Sequence, residues 1–509
     1  MQPSEYVRDL SRDYERLHTA KEDAFWTAYM GLADDADGAQ RELDKKEIEL
    51  KRFLQDPDRL RRTREHLARA EAEGAPGEAV TALSGWVRML EAHVIPTAEA
   101  RALAEEIVEL EGRLARARGT MKLGYRANGG LVEASSVKLA VMLQSEPDEA
   151  ARRGAFEGLR SIEPHVLAHG FLDVVRKRNR LGRMLGGEDY YDWKARRAEG
   201  MGKREIFALL DDLEARTREP ARRSLDRLRA EKGAGGLEPW NLRYYTTGDV
   251  TREMDPYFPF SRSFERWGRS FAALGIGFRG ATLVLDLVDR KGKYENGFMH
   301  GPVPAWRSNG AFHPARIHFT ANAIPGMVGA GKRAAETFFH EGGHAAHFAN
   351  IDMPAPCFAQ EFAPTSAAFA ETQSMFLDSL LEDADWQARY ARTAAGAPIP
   401  FALTEKAIRA SQPYAAWGQR AMISVCYAER AIYEIPDAEL SAARVLDEIR
   451  RAERKLLFLD NGSPRPTLAV PHLLAGESAA YYHGYTLALM AVHQTRRFFR
   501  ARDGHLMDN

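Results

Sequence analysis

Cysteine is scarce. The 509-residue chain has only Cys357 and Cys426, too few for a disulfide framework or a cysteine-rich zinc module. Long apolar runs are missing too: none approaches the roughly 18 uninterrupted apolar residues that would suggest a membrane span. The opening MQPSEYVRDLSRDYERLH is charged from residue 5 onward and lacks the apolar stretch of a secretion signal. Neither sign of charge is in excess. Lys+Arg number 71 and Asp+Glu 72, a formal net charge of -1, whereas a nucleic-acid binder usually carries a basic excess. There is no internal repeat and no low-complexity tail. These absences point to a soluble protein of a reducing compartment, by expectation the cytoplasm, with no nucleic-acid or membrane partner.

What remains is globular. Hydrophobic residues make up 45% and charged residues 28%, the balance of a packed protein and not of a disordered one. The first 230 residues are rich in the helix formers Ala, Leu, Glu and Arg, with breakers at Asp56-Pro57 and at GAPG, 74–77. Thr97 follows Pro96 as an N-cap, with Glu99 in the first turn. Leu103, Ile107, Leu110 and Leu114 then line one apolar face. Residues 44–55 read as a charge-rich amphipathic helix with a solvated side. Texture changes near Gly275. LVLDLV (283–288) and RIHFT (316–320) are strand candidates, joined by a stretch dense in Gly, Pro and Asn. After Asn322 the helical texture returns. The fold class is mostly α, with one small β patch just before the segment that carries chemistry.

That segment is AAETFFHEGGHAAHF, residues 334–348. His340 and His344 stand four apart, so on a helix both imidazoles project from one face and reach one zinc ion at about 2.0–2.1 Å. Glu341 can lie beside a metal-bound water without ligating the metal. Zinc lowers the pKa of such a water to about 7, and the carboxylate receives its proton. Three fixed residues in five also occur by chance, and an exposed helical His/Glu stretch is the alternative. Gly342 and Gly343 argue for a site. Inside a helix they cost roughly 1 kcal/mol each relative to Ala, which calls for close approach of substrate or of a packed neighbour. A catalytic zinc needs a third protein ligand and an open fourth position. Glu371, within EFAPTSAAFAETQSMFLDSLL (361–381), lies far enough past His344 for a loop and a returning helix. His347 is its rival, on the same helix as the pair and less naturally directed at the metal. Asp378 falls on the helical face of Glu371 and is either an acceptor behind a ligand histidine or a plain surface acid.

These residues resemble the oligoendopeptidase F and thimet oligopeptidase family of zinc metallopeptidases. The likeness rests on TFFHEGGHAAH and on the AETQS glutamate motif. It extends to DRKGKYENGFMHGP (289–302), similar to the family's glycine-rich strand, and to RNRLGRMLGGEDYYDW (178–193) and EPWNLRYY (238–245). The resemblance implies a mostly helical, two-lobed fold with a deep substrate channel and a small β-sheet beside the metal helix. Residues 1–135 would form an N-terminal helical region and 136–509 the catalytic region. Endopeptidase action on short unstructured peptides is implied, with one Zn2+ per chain held by His340, His344 and Glu371 and with Glu341 as general base. Near the C-terminus PHLLAGESAAYYHGY (471–485) supplies His472, Tyr481, Tyr482 and Tyr485. Tyr482 and Tyr485 are three apart and can share a helical face, so they are candidates for donating to the oxyanion; core aromatics are the alternative. Gly297, Phe298 and Tyr481 are the substrate-binding candidates. The chain departs from thimet-type members at Glu477, where they carry a tyrosine. The spacing from His472 to the last tyrosine is also one residue longer, and Gly342 is smaller than the usual residue there.

GMVGAGKR (326–333) nearly spells a phosphate-binding loop, but Arg333 stands where a Ser or Thr would hold magnesium. It reads as a flexible lead-in to the histidine helix. Two other functions share these motifs. A zinc carboxypeptidase of similar helical fold would need a basic residue to grip the substrate's terminal carboxylate. A non-catalytic peptide binder would not need Glu341.

Overall fold

The computed structural model describes residues 2–127, 129–308 and 310–507. Helices dominate, as the composition predicts. The local signals act where expected. Thr97 accepts from the Ala100 amide and opens the helix Ala98–Gly119, on which Leu103, Ile107 and Leu114 are buried. Asp56 caps the helix Pro57–Ala72, with Pro57 at its first position. Residues 44–54 lie in the helix Ala36–Leu54, which buries Leu43, Leu50, Phe53 and Leu54 and turns its charges outward.

One hairpin interrupts the helical half. Gly124–Ala127 (β1) and Gly130–Glu133 (β2) pair antiparallel. All of β2 is exposed, so no alternating buried face marks it in the sequence. The main sheet follows the strand signals closely. Thr282–Val288 (β3), Phe298–Val303 (β4) and Arg316–Ala323 (β7) form it in the order β3-β7-β4, while Trp306–Ser308 (β5) pairs with Ala311–His313 (β6). β7 runs parallel to β3 and antiparallel to β4, and it is largely buried. β4 is therefore an edge strand.

Among the described residues, the three largest apolar cores hold most of these elements. One joins residues 139–210 to 423–480, including Leu139, Tyr191, Ile206 and Leu468. A second surrounds the sheet and the histidine helix Ala330–Ala349 through Trp267, Phe319, Phe338 and Trp386. The third belongs to the N-terminal helices and takes in Ala355 and Cys357 from far along the chain. The N-terminal helix Pro3–Tyr29 also reaches β4. His18 Nε2 donates to the Gly301 carbonyl at 2.9 Å and Thr19 to that of Pro302 at 2.7 Å. Both cysteines are buried and free. Among the described residues no helix is long and apolar enough to cross a membrane.

Candidate active site

His340 and His344 project from one face of the histidine helix, and both Nε2 atoms approach the same Glu371 Oε2, at 3.3 and 3.2 Å. Ligand atoms about 2.1 Å from a tetrahedral ion stand about 3.4 Å apart, so these separations match the edges of one coordination shell. The donor set, two imidazoles and a carboxylate, suits zinc. Among the described residues these three form the group able to hold a metal ion, their ligand atoms all within 4.8 Å of one another. His347 is not in it. Its ring packs against Phe348 and Phe369, and burial pushes its imidazole down to about 4.

Glu371 arrives on the glutamate helix, Ala367–Asp378, which Ser366 caps by accepting from the Phe369 amide. The two glycines of the histidine helix are explained by packed neighbours. A β-carbon on Gly343 would lie 2.8 Å from Ser374 Cα, and one on Gly342 would lie 2.2 Å from Trp267 Nε1. Around the ligands, polar groups set orientation. Asp378 Oδ2 accepts from His340 Nδ1 at 2.9 Å, which leaves Nε2 as the free lone pair. Ser374 donates to Glu371 Oε2 and Tyr481 to Glu371 Oε1, each at 2.9 Å. Burial opposes charge on His340, yet the Asp378 and Glu371 carboxylates hold it well above its ordinary value.

Glu341 is buried beside the pair. Burial pushes its carboxyl up to about 7, against the pull of His340 and His344. A β-carbon on Gly297 would lie 2.2 Å from Thr337 Cγ2 and 3.4 Å from Glu341 Oε1, so only a glycine lets the start of β4 lie against the histidine helix here. The Phe298 ring turns to Phe25, Tyr29 and Tyr294.

The C-terminal residues do reach this place. The helix Tyr482–Asp503 packs along the glutamate helix. His472 Nε2 bonds the Tyr485 hydroxyl at 3.0 Å, and Arg465 Nη1 donates to that of Tyr482 at 3.0 Å. Burial holds the Tyr481 and Tyr485 hydroxyls well above their ordinary pKa, so both stay protonated. Burial, with the Arg465 charge behind it, takes His472 down to about 4, so its ring is neutral.

Sequence reasoning missed what fixes the loop between them. Gly476 N donates to Glu111 at 3.0 Å, Lys194 Nζ donates to the carbonyls of Gly476 and Glu477 at 2.9 and 3.0 Å, and Ala480 N donates to Glu429 at 2.7 Å. Buried Arg178 holds Glu111 in turn, at 2.8 Å. Glu477, the departure from the thimet-type tyrosine, pairs with Lys21 of the N-terminal helix at 3.0 Å. The available signal was weak: Arg178 and Lys194 fall on the buried sides of their helices.

The family model described as peptidase family M3 matches residues 142–504. The chain belongs to peptidase family M3. That makes it a metallopeptidase and bears out the resemblance carried by the histidine motif. Among solved structures it is similar to a protein assigned as an oligoendopeptidase F, at 16% identity and a TM-score of 0.70, over 98% of this chain and 83% of that one. PZ peptidase A, solved with an inhibitor, is similar at 14% identity and a TM-score of 0.67, over 97% of this chain and 88% of that one. An M32 carboxypeptidase from Deinococcus radiodurans R1 follows at 15% and 0.56, over 97% and 86%. No curated protein matches by sequence. At these identities the likeness shows the mostly α peptidase fold, which endopeptidases and carboxypeptidases share.

Proposed function

We propose that this chain is a zinc endopeptidase hydrolysing peptide bonds in short, unstructured oligopeptides. The observation that carries this reading is a convergence. Glu341, three ligand side chains and the His472–Tyr485 pair meet at one buried place from segments more than a hundred residues apart. His340, His344 and Glu371 would hold one Zn2+, which would supply a Lewis acid and lower the pKa of a water to about 7. Glu341 accepts the proton of the attacking water and returns it to the leaving amine. Tyr485, protonated and held by neutral His472, donates to the carbonyl oxygen as charge develops there. Tyr482 stands beside it. Tyr481 serves the site through Glu371, as Asp378 does through His340. Gly297, which lets the start of β4 lie against the histidine helix beside Glu341, and Phe298 would line the substrate's path there. The two buried, unpaired cysteines support a cytoplasmic setting.

Product mass spectrometry tests the reading. Internal cuts that leave two peptide fragments are expected from an unstructured peptide, with either a free or an amidated C-terminus. Release of single residues from the free-acid form alone would replace this reading with a carboxypeptidase. Zinc-replete Glu341→Gln should lose nearly all turnover, because an amide cannot take the proton.

A further inference from the structure

A buried ammonium joins two walls of the site. Lys21 Nζ, on the helix Pro3–Tyr29, donates to Glu22 Oε1 at 3.0 Å and meets Glu477 Oε1 and Oε2 at 3.0 and 3.2 Å. The other oxygen of Glu22 accepts from His300 Nδ1, on β4, at 2.7 Å. His300, Glu22, Lys21 and Glu477 thus form one polar chain from β4 to the loop 476–480. Burial opposes charge on Lys21, yet Glu22 and Glu477 hold its pKa well above the ordinary value. Burial opposes charge on the two carboxyls as well, and Lys21 keeps both below theirs. All three groups are ionised.

Each end of the chain holds a different part of the chemistry. β4 begins directly after Gly297, which lies against the histidine helix beside Glu341. The loop follows His472, which bonds Tyr485, and runs into Tyr481, whose hydroxyl donates to Glu371. Within it Ser478 donates to the His472 carbonyl at 3.2 Å. Glu111, Lys194 and Glu429 grip the loop's backbone. Lys21 grips a side chain of it, and comes from the β4 wall. The Glu477 side chain is 52% exposed and that of Lys21 only 6%, so the bridge stands where packed protein meets open space. Apolar side chains of the same volume often stabilise a fold as well as a buried ion pair does, so stability alone gives little reason for this one. Position does. Without Lys21, two carboxylates would face each other, and Glu477 would turn into the open space with its loop.

We propose that Lys21 is a positioning residue for hydrolysis: through Glu477 it sets the loop between His472 and Tyr481, and so the place of the Tyr485 hydroxyl relative to Glu341. The proposal rests on the peptidase reading. It gives the N-terminal helix, which lies outside the residues 142–504 that mark the family, a part in the reaction. A displacement of about 1 Å at such a donor costs on the order of a hundredfold in rate.

Kinetics of the zinc-loaded full chain on an unstructured peptide test this. Lys21→Met should lower kcat roughly tenfold to a hundredfold, with KM and zinc content little changed. Glu477→Ala should act in the same direction, and the double variant should be no worse than Lys21→Met alone, because the two residues act as one unit. In a Tyr485→Phe background, where that donor is already absent, Lys21→Met should cost little more. A lysine that serves only stability would lower Tm and leave kcat per folded enzyme intact in both backgrounds. Full kcat in Lys21→Met, or a loss that multiplies with that of Tyr485→Phe, overturns the proposal. Should Lys21→Met fail to fold, Glu477→Ala, cut back at a half-exposed side chain, decides by the same two criteria. A wild type that cuts no peptide removes the peptidase reading by itself. Exchange of the amides of residues 476–480 with heavy water then judges the tie: faster exchange in Lys21→Met upholds it, and unchanged exchange removes it.

Discussion

Gly343 lies so close to Ser374 that a β-carbon on it would stand 2.8 Å from the Ser374 Cα. Glu371 sits one turn before that contact, so its reach to both histidines depends on the two helices meeting there. Gly343→Ala should force them apart at a cost of about 1–3 kcal/mol. Zinc affinity should fall roughly tenfold or more, as when a ligand's support is lost. A chelator competition and a melting curve measure both, and an unchanged zinc affinity would show that Glu371 does not need this approach.

The ligand set is tested by elemental analysis. Wild type should hold one zinc per chain and Glu371→Ala should lose most of it. His347→Ala should keep it, because that ring packs against Phe348 and Phe369. The reverse pattern would exchange the two assignments.

Tyr485→Phe should lower kcat by about 10²–10³, the usual effect of losing one oxyanion donor. Its KM, zinc content and Tm should change little. Tyr482→Phe should cost less, since that hydroxyl already accepts from Arg465. A fall in Tm with kcat per folded enzyme intact would make Tyr485 a core aromatic.

Glu429 makes stability depend on pH. Burial pushes its carboxyl up to about 7, although the Ala480 amide pulls it down. Between its ordinary value of 4.5 and about 7 the folded state therefore holds a proton that the unfolded state has lost. Stability from this group is fully present below the lower value and drains away as pH rises through the upper one. Glu429→Gln does not titrate and keeps an acceptor for Ala480. The Tm of this variant relative to wild type should rise between pH 5 and pH 8, by an amount worth up to a few kcal/mol. A difference flat with pH would contradict the raised value.

Much of this site is legible in the sequence because its parts are local. The four-residue spacing of His340 and His344 needs only a helix, and the apolar runs of β3 and β7 need only a buried sheet. Gly342 and Gly343 announce a cost whose reason lies elsewhere, in Trp267 and Ser374, and no spacing rule names those partners. The hairpin β1–β2 hides because its second strand is exposed and short. Glu111, Lys194 and Glu429 hide for the opposite reason. A charge on a helix looks like solvent surface until a neighbouring loop is seen to bring unpaired amides and carbonyls to it. Tyr481 is a substrate-side candidate in the sequence, and its hydroxyl donates to Glu361 and Glu371, carboxylates that no spacing rule pairs with it.

The loop from Gly476 to Ala480 has neither helix nor strand to hold it, yet its amides and carbonyls are bound by buried side chains from three separate helices. Its exchange with heavy water should therefore follow the opening of those helices and not the fast fraying of a surface loop. Slow exchange at Ala480 would mark it as core. A displacement of this loop then requires those helices to move with it, on the slower timescale of such displacements.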